Sequence, residues 1–451
     1  MKNSYTSEQT KRAQIIVLSI AVCLILLLTL YALVAWLSGE EILSKEEILS
    51  LIETYEGERS NVSQYIEDFG IGGFNKTRLR DVEFYYEKYY YTEALPSDLD
   101  LAKETASLFV RVFYDEIDLE SRDEVTEALI NCYIYNIGDL YGVYRSPIEY
   151  DDYSQDMSGT GVGIGVTVKM TQSPFTMLVE EVIPGSGAEE AGILPGDYIV
   201  AVDGVSVQTL QSDGAKAALS GDVGTTVNVS VLRGDTEITL TVTRCAFVEA
   251  VVKYSIDDKK LAYIRISSFK DNTDEQLAEA LSKARQDGAV GIIFDMRNNL
   301  GGYLDSALGS IELIVKEGVR MASYTSRGYG ETVYTSKNAN FLELPVVVLC
   351  NEYTASAGEL FTAAIRDYRD MGLIKATVVG TKTYGKGVMQ STYTFLDGAA
   401  LTMTTAYYNP PSNVNYDGVG IVPDCEIILG REYDNQLEGA KEALLQLINA
   451  N

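Results

Sequence analysis

The stretch PVVVLC (345–350), NEYTAS (351–356), AGELFTAAIRDYRD (357–370) reads as strand, loop and helix in direct succession. A near-continuous apolar run of this length suits a strand covered on both faces, as in a parallel sheet, and the segment after it carries the period of an amphipathic helix. The same alternation extends to either side. LAYIRISSF (261–269) reads as a strand, DEQLAEALSKARQD (274–287) as a helix, and GAVGIIFDMR (288–297) as a buried strand. DSALGSIELIV (305–315) reads as a helix and ATVVGT (376–381) as a strand. The fold class expected for residues 247–430 is therefore α/β. After it, DNQLEGAKEALLQLI (434–448) places Leu437, Ala440, Leu444, Leu447 and Ile448 on one face of a docking helix within 431–451.

Upstream, residues 157–246 have a different texture. GTGVGIGVTVKM (159–170) is glycine-punctuated and β-branched, and short strands, a Pro-Gly-Asp turn at 195–197 and paired strands follow it. This region is expected to be one compact, mainly β domain. Residues 38–156 read as mostly helical, with Ile42, Leu43, Leu49 and Ile52 on one track. The tyrosine-rich run FYYEKYYY (84–91) reads as a helix surface with aromatic anchors and is given no chemistry.

Between Arg12 and Glu40 no charged residue occurs. Residues 15–37 would form a helix roughly 35 Å long, matching a bilayer core. Lys2, Lys11 and Arg12 precede it and Glu40 and Glu41 follow it, so the positive-inside bias predicts a cytoplasmic tail (1–12), a single-pass anchor (13–37) in the plasma membrane, and an extracytoplasmic remainder. The apolar run is too long for the core of a cleaved signal, and Ala35, with Leu33 two residues before it, makes a poor cleavage site.

Composition narrows the chemistry. The 451 residues carry 65 Asp and Glu against 36 Lys and Arg, a net charge of −29, which argues against a nucleic-acid partner. There is no histidine, so a Ser-His-Asp triad, a Cys-His dyad and a His-ligated zinc are all excluded. Cys23, Cys132, Cys245, Cys350 and Cys425 are scattered without a C-x-x-C pair, and no metal site is expected. Cys132, Cys245, Cys350 and Cys425 are expected as free buried thiols, with two disulfides the alternative.

Acid–base work near neutral pH then falls to other side chains. Ser356 lies where a buried strand meets a helix start. Alone, Ser356-Ala-Gly-Glu359 is equally an S-x-x-E capping box. Thirty residues on, GTKTYGKGVMQ (380–390) sets Lys386 between two glycines, and the phosphate-binding pattern fails there because Gly387 follows the lysine. A lysine can deprotonate a serine if burial lowers its pKa from about 10.4 to about 7.5, a change worth ~4 kcal/mol.

Four segments in fixed order resemble the carboxy-terminal processing peptidases, tail-specific serine proteases with a Ser-Lys dyad. They are the glycine-rich β domain, which is similar to a PDZ domain, then FDMRNNLGG (294–302), NEYTASAGE (351–359) and TYGKGVMQ (383–390). The resemblance runs from GDLYGVYRSPIEY (138–150) to the carboxy terminus. It implies a crotonase- or Clp-protease-like α/β catalytic domain with a PDZ domain inserted between it and a helical segment, which here stands behind the one transmembrane helix expected from the apolar run. It further implies Ser356 as nucleophile, Lys386 as general base and Gln390 as the residue orienting it. The N–H of Ala357 and that of Gly301 or Gly302 would form the oxyanion hole. Gly163, Ile164, Gly165 and Val166 would receive a peptide carboxylate, with Gly161 to Ile164 fitting that loop equally well. No cofactor is implied, the partners are polypeptides with free carboxy termini, and a homo-oligomer is left open. The alternative is an inactive PDZ scaffold or sensor. Two departures stand out: Gly358 replaces the usual serine, and the loop PSNVN (411–415) lacks a basic residue.

Overall fold

The computed structural model describes residues 43–55, 57–92, 95–172, 175–339, 341–431 and 433–450. The expected anchor at 13–37 lies outside them, as does Ile42. Among the described residues no helix is long and apolar enough to cross a membrane.

The helices α1 (Lys45–Thr54), α2 (Val62–Asp68), α3 (Lys76–Tyr89), α4 (Asp98–Val112) and α5 (Arg122–Ile137) account for the helical region. Ser44, Asn61 and Ser97 cap three of them by accepting backbone N–H bonds. In α1 the buried residues are Ile48 and Ile52, with Leu43 and Leu49 half-covered. Among the described residues, those up to Glu83 together with Pro96–Ile137 make one compact unit, while those of 84–95 and from Gly138 onward make a second. The tyrosine run belongs to the second unit. Tyr86 and Tyr90 are buried there, and Tyr85 and Tyr89 stack on Tyr393.

In the second unit β1 (Val143–Arg145) and α6 (Pro147–Met157) lead into β2 (Thr160–Gly163), β3 (Val166–Gln172), β4 (Phe175–Val182) and α7 (Gly187–Ala191). Then come β5 (Tyr198–Val202), β6 (Val205–Ser206), α8 (Val207–Leu219), β7 (Thr226–Arg233), β8 (Thr236–Thr243) and β9 (Cys245–Val248). An antiparallel sheet runs β3-β4-β5-β7-β8, with β6 on β5, and β2 pairs with β9 alone. Alternate residues of these strands, including Met177, Val179, Ile199, Val229 and Val231, fill a core of their own with Ile164 and Leu219. In the Pro-Gly-Asp turn, buried Asp197 accepts the Leu194 N–H and is gripped by Arg233.

The α/β region begins with β10 (Val252–Ile256), β11 (Leu261–Ile266), α9 (Thr273–Gln286), β12 (Gly291–Asp295) and α10 (Leu304–Glu312). It continues with β13 (Arg320–Ser326), β14 (Glu331–Thr335), β15 (Val346–Cys350), α11 (Ala357–Asp370) and β16 (Ala376–Gly380). Last are β17 (Val388–Thr394), β18 (Ala400–Asn409), β19 (Cys425–Glu426) and α12 (Asn435–Asn449). One sheet has the order β10-β11-β12-β15-β16-β19, and from β11 to β19 every pair is parallel. Every residue of β12 and β15 is buried, as the apolar runs predict. The helices α9, α10 and α11 share one core with this sheet, while Leu261, Ile293, Val347, Leu349 and Val379 meet Ala440 and Leu444 of α12 in another. A second sheet, β1-β18-β13-β14 with β17 on β18, stands beside it.

Where the chain enters and leaves the β domain, one buried ammonium holds both crossings. Lys270 Nζ donates to Asp156 of α6 at 2.8 Å and to Glu249, just past β9, at 2.6 Å.

The four cysteines within the described residues are free, but only Cys132 and Cys350 are buried. Cys245 is half-buried and Cys425 is exposed, because β19 is a two-residue strand at the sheet edge. The MGLIKA segment (371–376) forms an exposed turn at Met371 and Leu373.

The docking of α12 yields a test of the packing. Leu444 is fully buried and sits over Gly291, where a β-carbon would approach its side chain to 2.8 Å. Leu444→Ala is expected to cost about 2–5 kcal/mol of unfolding free energy, measurable by urea denaturation.

Candidate active site

Three loops leave the carboxyl ends of adjacent parallel strands: residues 296–302 after β12, 351–356 after β15 and 381–387 after β16. This is the edge of an open α/β sheet where sites are built.

Asn299 stitches the first loop to the second. It is fully buried. Its Nδ2 donates to the Ile266 carbonyl at 2.9 Å, its Oδ1 accepts the Gly301 N–H at 2.8 Å, and its own carbonyl accepts the Ala355 N–H at 2.9 Å. Thr354 Oγ1 donates to the Met296 carbonyl at 2.9 Å, closing the seam. Gly301 has φ +107°, and a β-carbon there would come within 2.8 Å of Ser356 Cβ. At Gly302, φ +138°, it would lie 2.1 Å from the Phe269 carbonyl oxygen. Only glycine fits either place. Of the two expected N–H donors, that of Gly301 is therefore already engaged. Those of Gly302 and Ala357 have no acceptor among the described residues.

Gly358 has a steric reason as well. A β-carbon at this position would lie 2.9 Å from the Asn299 carbonyl oxygen, so the crossing of Asn299 over the first turn of α11 requires the smaller residue.

Ser356 immediately precedes α11, half-buried, with φ 54° and ψ −120°. For a residue with a β-carbon this is strained backbone, costing about 1–3 kcal/mol, and such strain collects at functional turns. Its N–H donates to Glu359 Oε2 at 3.0 Å. The same Oε2 accepts the Lys386 N–H at 2.7 Å, while Oε1 accepts the Gly385 N–H at 2.7 Å and Thr383 Oγ1 at 2.5 Å. Glu359 is fully buried. Burial pushes its carboxyl pKa up, and these four donors pull it down by stabilising the charged form.

Lys386 is half-buried, and its Nζ donates to Gln390 Oε1 at 2.6 Å. Burial lowers its pKa, with the nearby Asp139 charge working in the opposite sense. A register shift between Met389 and Gln390 in the β17–β18 ladder turns Gln390 inward. The backbones of Ser356 and Lys386 thus meet on one carboxylate oxygen, but no hydrogen bond joins Ser356 Oγ to Lys386 Nζ. Buried Tyr408 donates its hydroxyl to the Lys386 carbonyl at 3.0 Å.

The glycine-rich loop is separate from this cluster. Gly163 ends β2 opposite Cys245, buried Ile164 and Gly165 (φ +82°) form the turn, and Val166 opens β3 opposite Val182. Gly161 and Gly163 both lie within the β2–β9 ladder, so the turn falls two residues later than the alternative register has it. A cavity of about 1150 Å³ adjoins the loop, with Val168, Met170 and Leu219 among its apolar walls, and among the described residues β3 pairs only with β4. In the loop after β18, Asn413 Oδ1 accepts from Arg320 of β13 at 2.8 Å, which brings a cation to the segment that lacks one of its own.

Sequence reading missed the wider role of Glu359, because an S-x-x-E pattern reports only the local cap. It also missed Asn299, Thr383 and Asp139, which no spacing singles out. Glu359→Gln would set an amide N–H₂ against backbone donors. The expected cost is about 1–3 kcal/mol for each donor left unpaired, with loss of catalytic rate, read by denaturation and by turnover.

Residues 260–427 match the model of Peptidase family S41, and residues 162–243 match that of the PDZ domain. A CtpA-like serine protease of Staphylococcus haemolyticus is 33% identical over 310 residues, covering 68% of this chain and 61% of the relative. A carboxyl-terminal-processing protease of Synechocystis is 32% identical over 321 residues, covering 70% of this chain and 74% of the relative. The chain thus spans about six-tenths of the staphylococcal relative's length. The crystal structure of a Bacteroides fragilis protein described as an S41 protease shares the fold, with TM-score 0.54 and 18% identity over 81% of this chain and 97% of that one. With relatives at this level over most of its folded length, the chain belongs to peptidase family S41, the serine peptidases that include the carboxyl-terminal-processing proteases, and it carries a PDZ domain.

Proposed function

We propose that this chain is a membrane-tethered serine endopeptidase that cuts extracytoplasmic polypeptides near their carboxy termini, with its PDZ domain capturing the substrate tail. The observation that carries the reading is the shared Glu359 oxygen, which brings the backbones of Ser356 and Lys386 together, while burial lowers the lysine's pKa and its Nζ donates to Gln390.

In this reading neutral Lys386 Nζ moves from Gln390 towards Ser356 Oγ and takes its proton as Oγ attacks a peptide carbonyl. The N–H groups of Gly302 and Ala357 hold the oxyanion, a contribution of about 2.7–4 kcal/mol for each donor. Lys386 then protonates the leaving amine, and water releases the acyl group. Lysine bases suit a chain without histidine.

Tail capture is supported by the edge of β3 that has no partner strand among the described residues, the cavity beside it, walled in part by Val168, Met170 and Leu219, and the glycine turn at its start, the features of β-strand addition. Tethering and outward orientation are supported by the apolar run at 15–37 with lysine and arginine before it and glutamate after it. The Synechocystis relative's name, carboxyl-terminal-processing protease, agrees with tail-directed cleavage.

The test is turnover of an unstructured protein with an apolar carboxy terminus. Ser356→Ala and Lys386→Ala are each expected to lose at least about 10³-fold in kcat/KM while still binding the tail, and equal cleavage by all three proteins would refute the dyad. Amidating the substrate's terminal carboxyl is expected to weaken its binding and leave a tail-less peptide ester unaffected. Because the base works neutral and burial lowers its pKa, kcat/KM should rise with pH through that lowered value and then level. Tail binding without turnover in the parent would favour an inactive scaffold.

A further inference from the structure

The reading of Ser356 and Lys386 as a dyad leaves open what keeps the lysine dry and aimed. Gln390 alone does not suffice, because its amide can present either end. We infer that Tyr141 is a positioning residue for the Lys386–Gln390 pair, acting through both its carbonyl and its ring.

Tyr141 lies just before β1 and 249 residues from Gln390 in the chain, yet its carbonyl oxygen accepts the Gln390 Nε2–H. That bond fixes the amide with Oε1 facing Lys386, which donates to it at 2.6 Å. The lysine Nζ also lies 4.4 Å from the centroid of the Tyr141 ring. One residue thereby orients the lysine's acceptor and covers its ammonium with an aromatic face. Such a face attracts a cation weakly and displaces water from it.

The strap that carries Tyr141 is itself fastened. Asp139 is buried and accepts the Thr404 N–H at 2.9 Å, Thr404 Oγ1 at 2.7 Å, the Tyr86 hydroxyl at 3.0 Å and the Tyr141 N–H at 3.2 Å. Thr404 is the cross-strand partner of Gln390, at the point where the ladder shifts register. From there β1 runs along β18, pairing Val143 with Thr402. Asp139, Tyr141, Thr404, Gln390 and Lys386 thus form a closed ring of contacts.

Two effects of the ring on the lysine oppose each other. Its face favours the ammonium, whereas excluding water disfavours it. Burial is the largest influence on Lys386 and lowers its pKa, and the Tyr141 ring, 4.4 Å from Nζ, is part of what buries it. The other charged and titratable groups around this loop are Asp139, Glu359, Tyr384, Tyr408 and Asp417. Of these, Tyr384 lies against the Tyr141 hydroxyl, a contact that Tyr141→Phe removes while keeping the ring.

The test uses the full chain and a fluorophosphonate probe, whose reaction with a serine nucleophile reports the base without requiring PDZ capture. Tyr141→Ala admits water to Nζ, so the pH at which phosphonylation of Ser356, with loss of fluoride from the probe, reaches half its plateau rate should rise by about one pH unit, with about a tenfold loss of rate at neutral pH that alkaline pH restores. Tyr141→Phe keeps ring and carbonyl and should return the parental profile. Tyr141→Ser carries the same expectation as alanine if that variant fails to accumulate. A loss of equal factor at every pH, with thermal melting lowered in step, would reduce Tyr141 to a structural contact and overturn the inference. Ser356→Ala separates this from failure of the dyad itself. If that variant still reacts with the probe, the dyad reading falls, whereas an inert Ser356→Ala beside an unshifted Tyr141→Ala refutes only the role of Tyr141.

Discussion

Four donors from two loops converge on the carboxylate of Glu359, and the rest of the catalytic end of the molecule is arranged so that they can. The Ser356 N–H comes from the turn before α11, and the other three from the segment after β16. None of these groups has a helix or strand to bond to at its position, and each would otherwise be a buried polar orphan. A single buried anion resolves all four at once. The carboxylate is held in place by the first turn of α11, whose fully buried apolar residues Leu360 and Phe361 anchor it in the core. The parallel sheet supplies the frame. Because β12, β15 and β16 are adjacent, their following loops must lie side by side.

The strain at Ser356 is understandable within this arrangement. An unfavourable backbone angle persists only where surrounding bonds outweigh it. Here the serine's own N–H is tied to Glu359, the preceding Ala355 N–H to Asn299 and the Thr354 hydroxyl to Met296. Three bonds in three successive residues leave the turn no relaxed alternative. Asn299 plays the matching part for the loop opposite, and its passage over α11 accounts for the glycine at 358.

Much of the frame could be read from residue order alone. Apolar runs such as VVVLC and GIIFD have no other use than strands covered on both faces, and they are fully buried. The faces of α11 and α12 follow from helical period in the same way. Ser356 and Lys386 stood out because they sit in short motifs at strand–helix and strand–strand junctions, and Gln390 only through the resemblance to a family. The surroundings that give them their properties did not, for a physical reason. Glu359 satisfies a local cap and a distant loop with one carboxylate, and only the local half leaves a pattern. Tyr141 meets Gln390 across 249 residues, a contact that periodicity cannot register. The exposed thiol of Cys425 escaped for a related reason, since a two-residue edge strand looks in sequence like any other apolar-flanked cysteine.

The double grip of Lys270 bears on how the PDZ domain can move. A domain inserted through two chain crossings would ordinarily swing about a line drawn through both. Here Asp156 and Glu249, one from each crossing, are drawn to the same buried ammonium, so that line shrinks almost to a pivot. The residue before the pivot is Phe269, whose N–H donates to the Gly301 carbonyl and whose own carbonyl accepts the Tyr303 N–H, straddling Gly302. A torque on the PDZ domain is therefore delivered next to the backbone that lines the nucleophile.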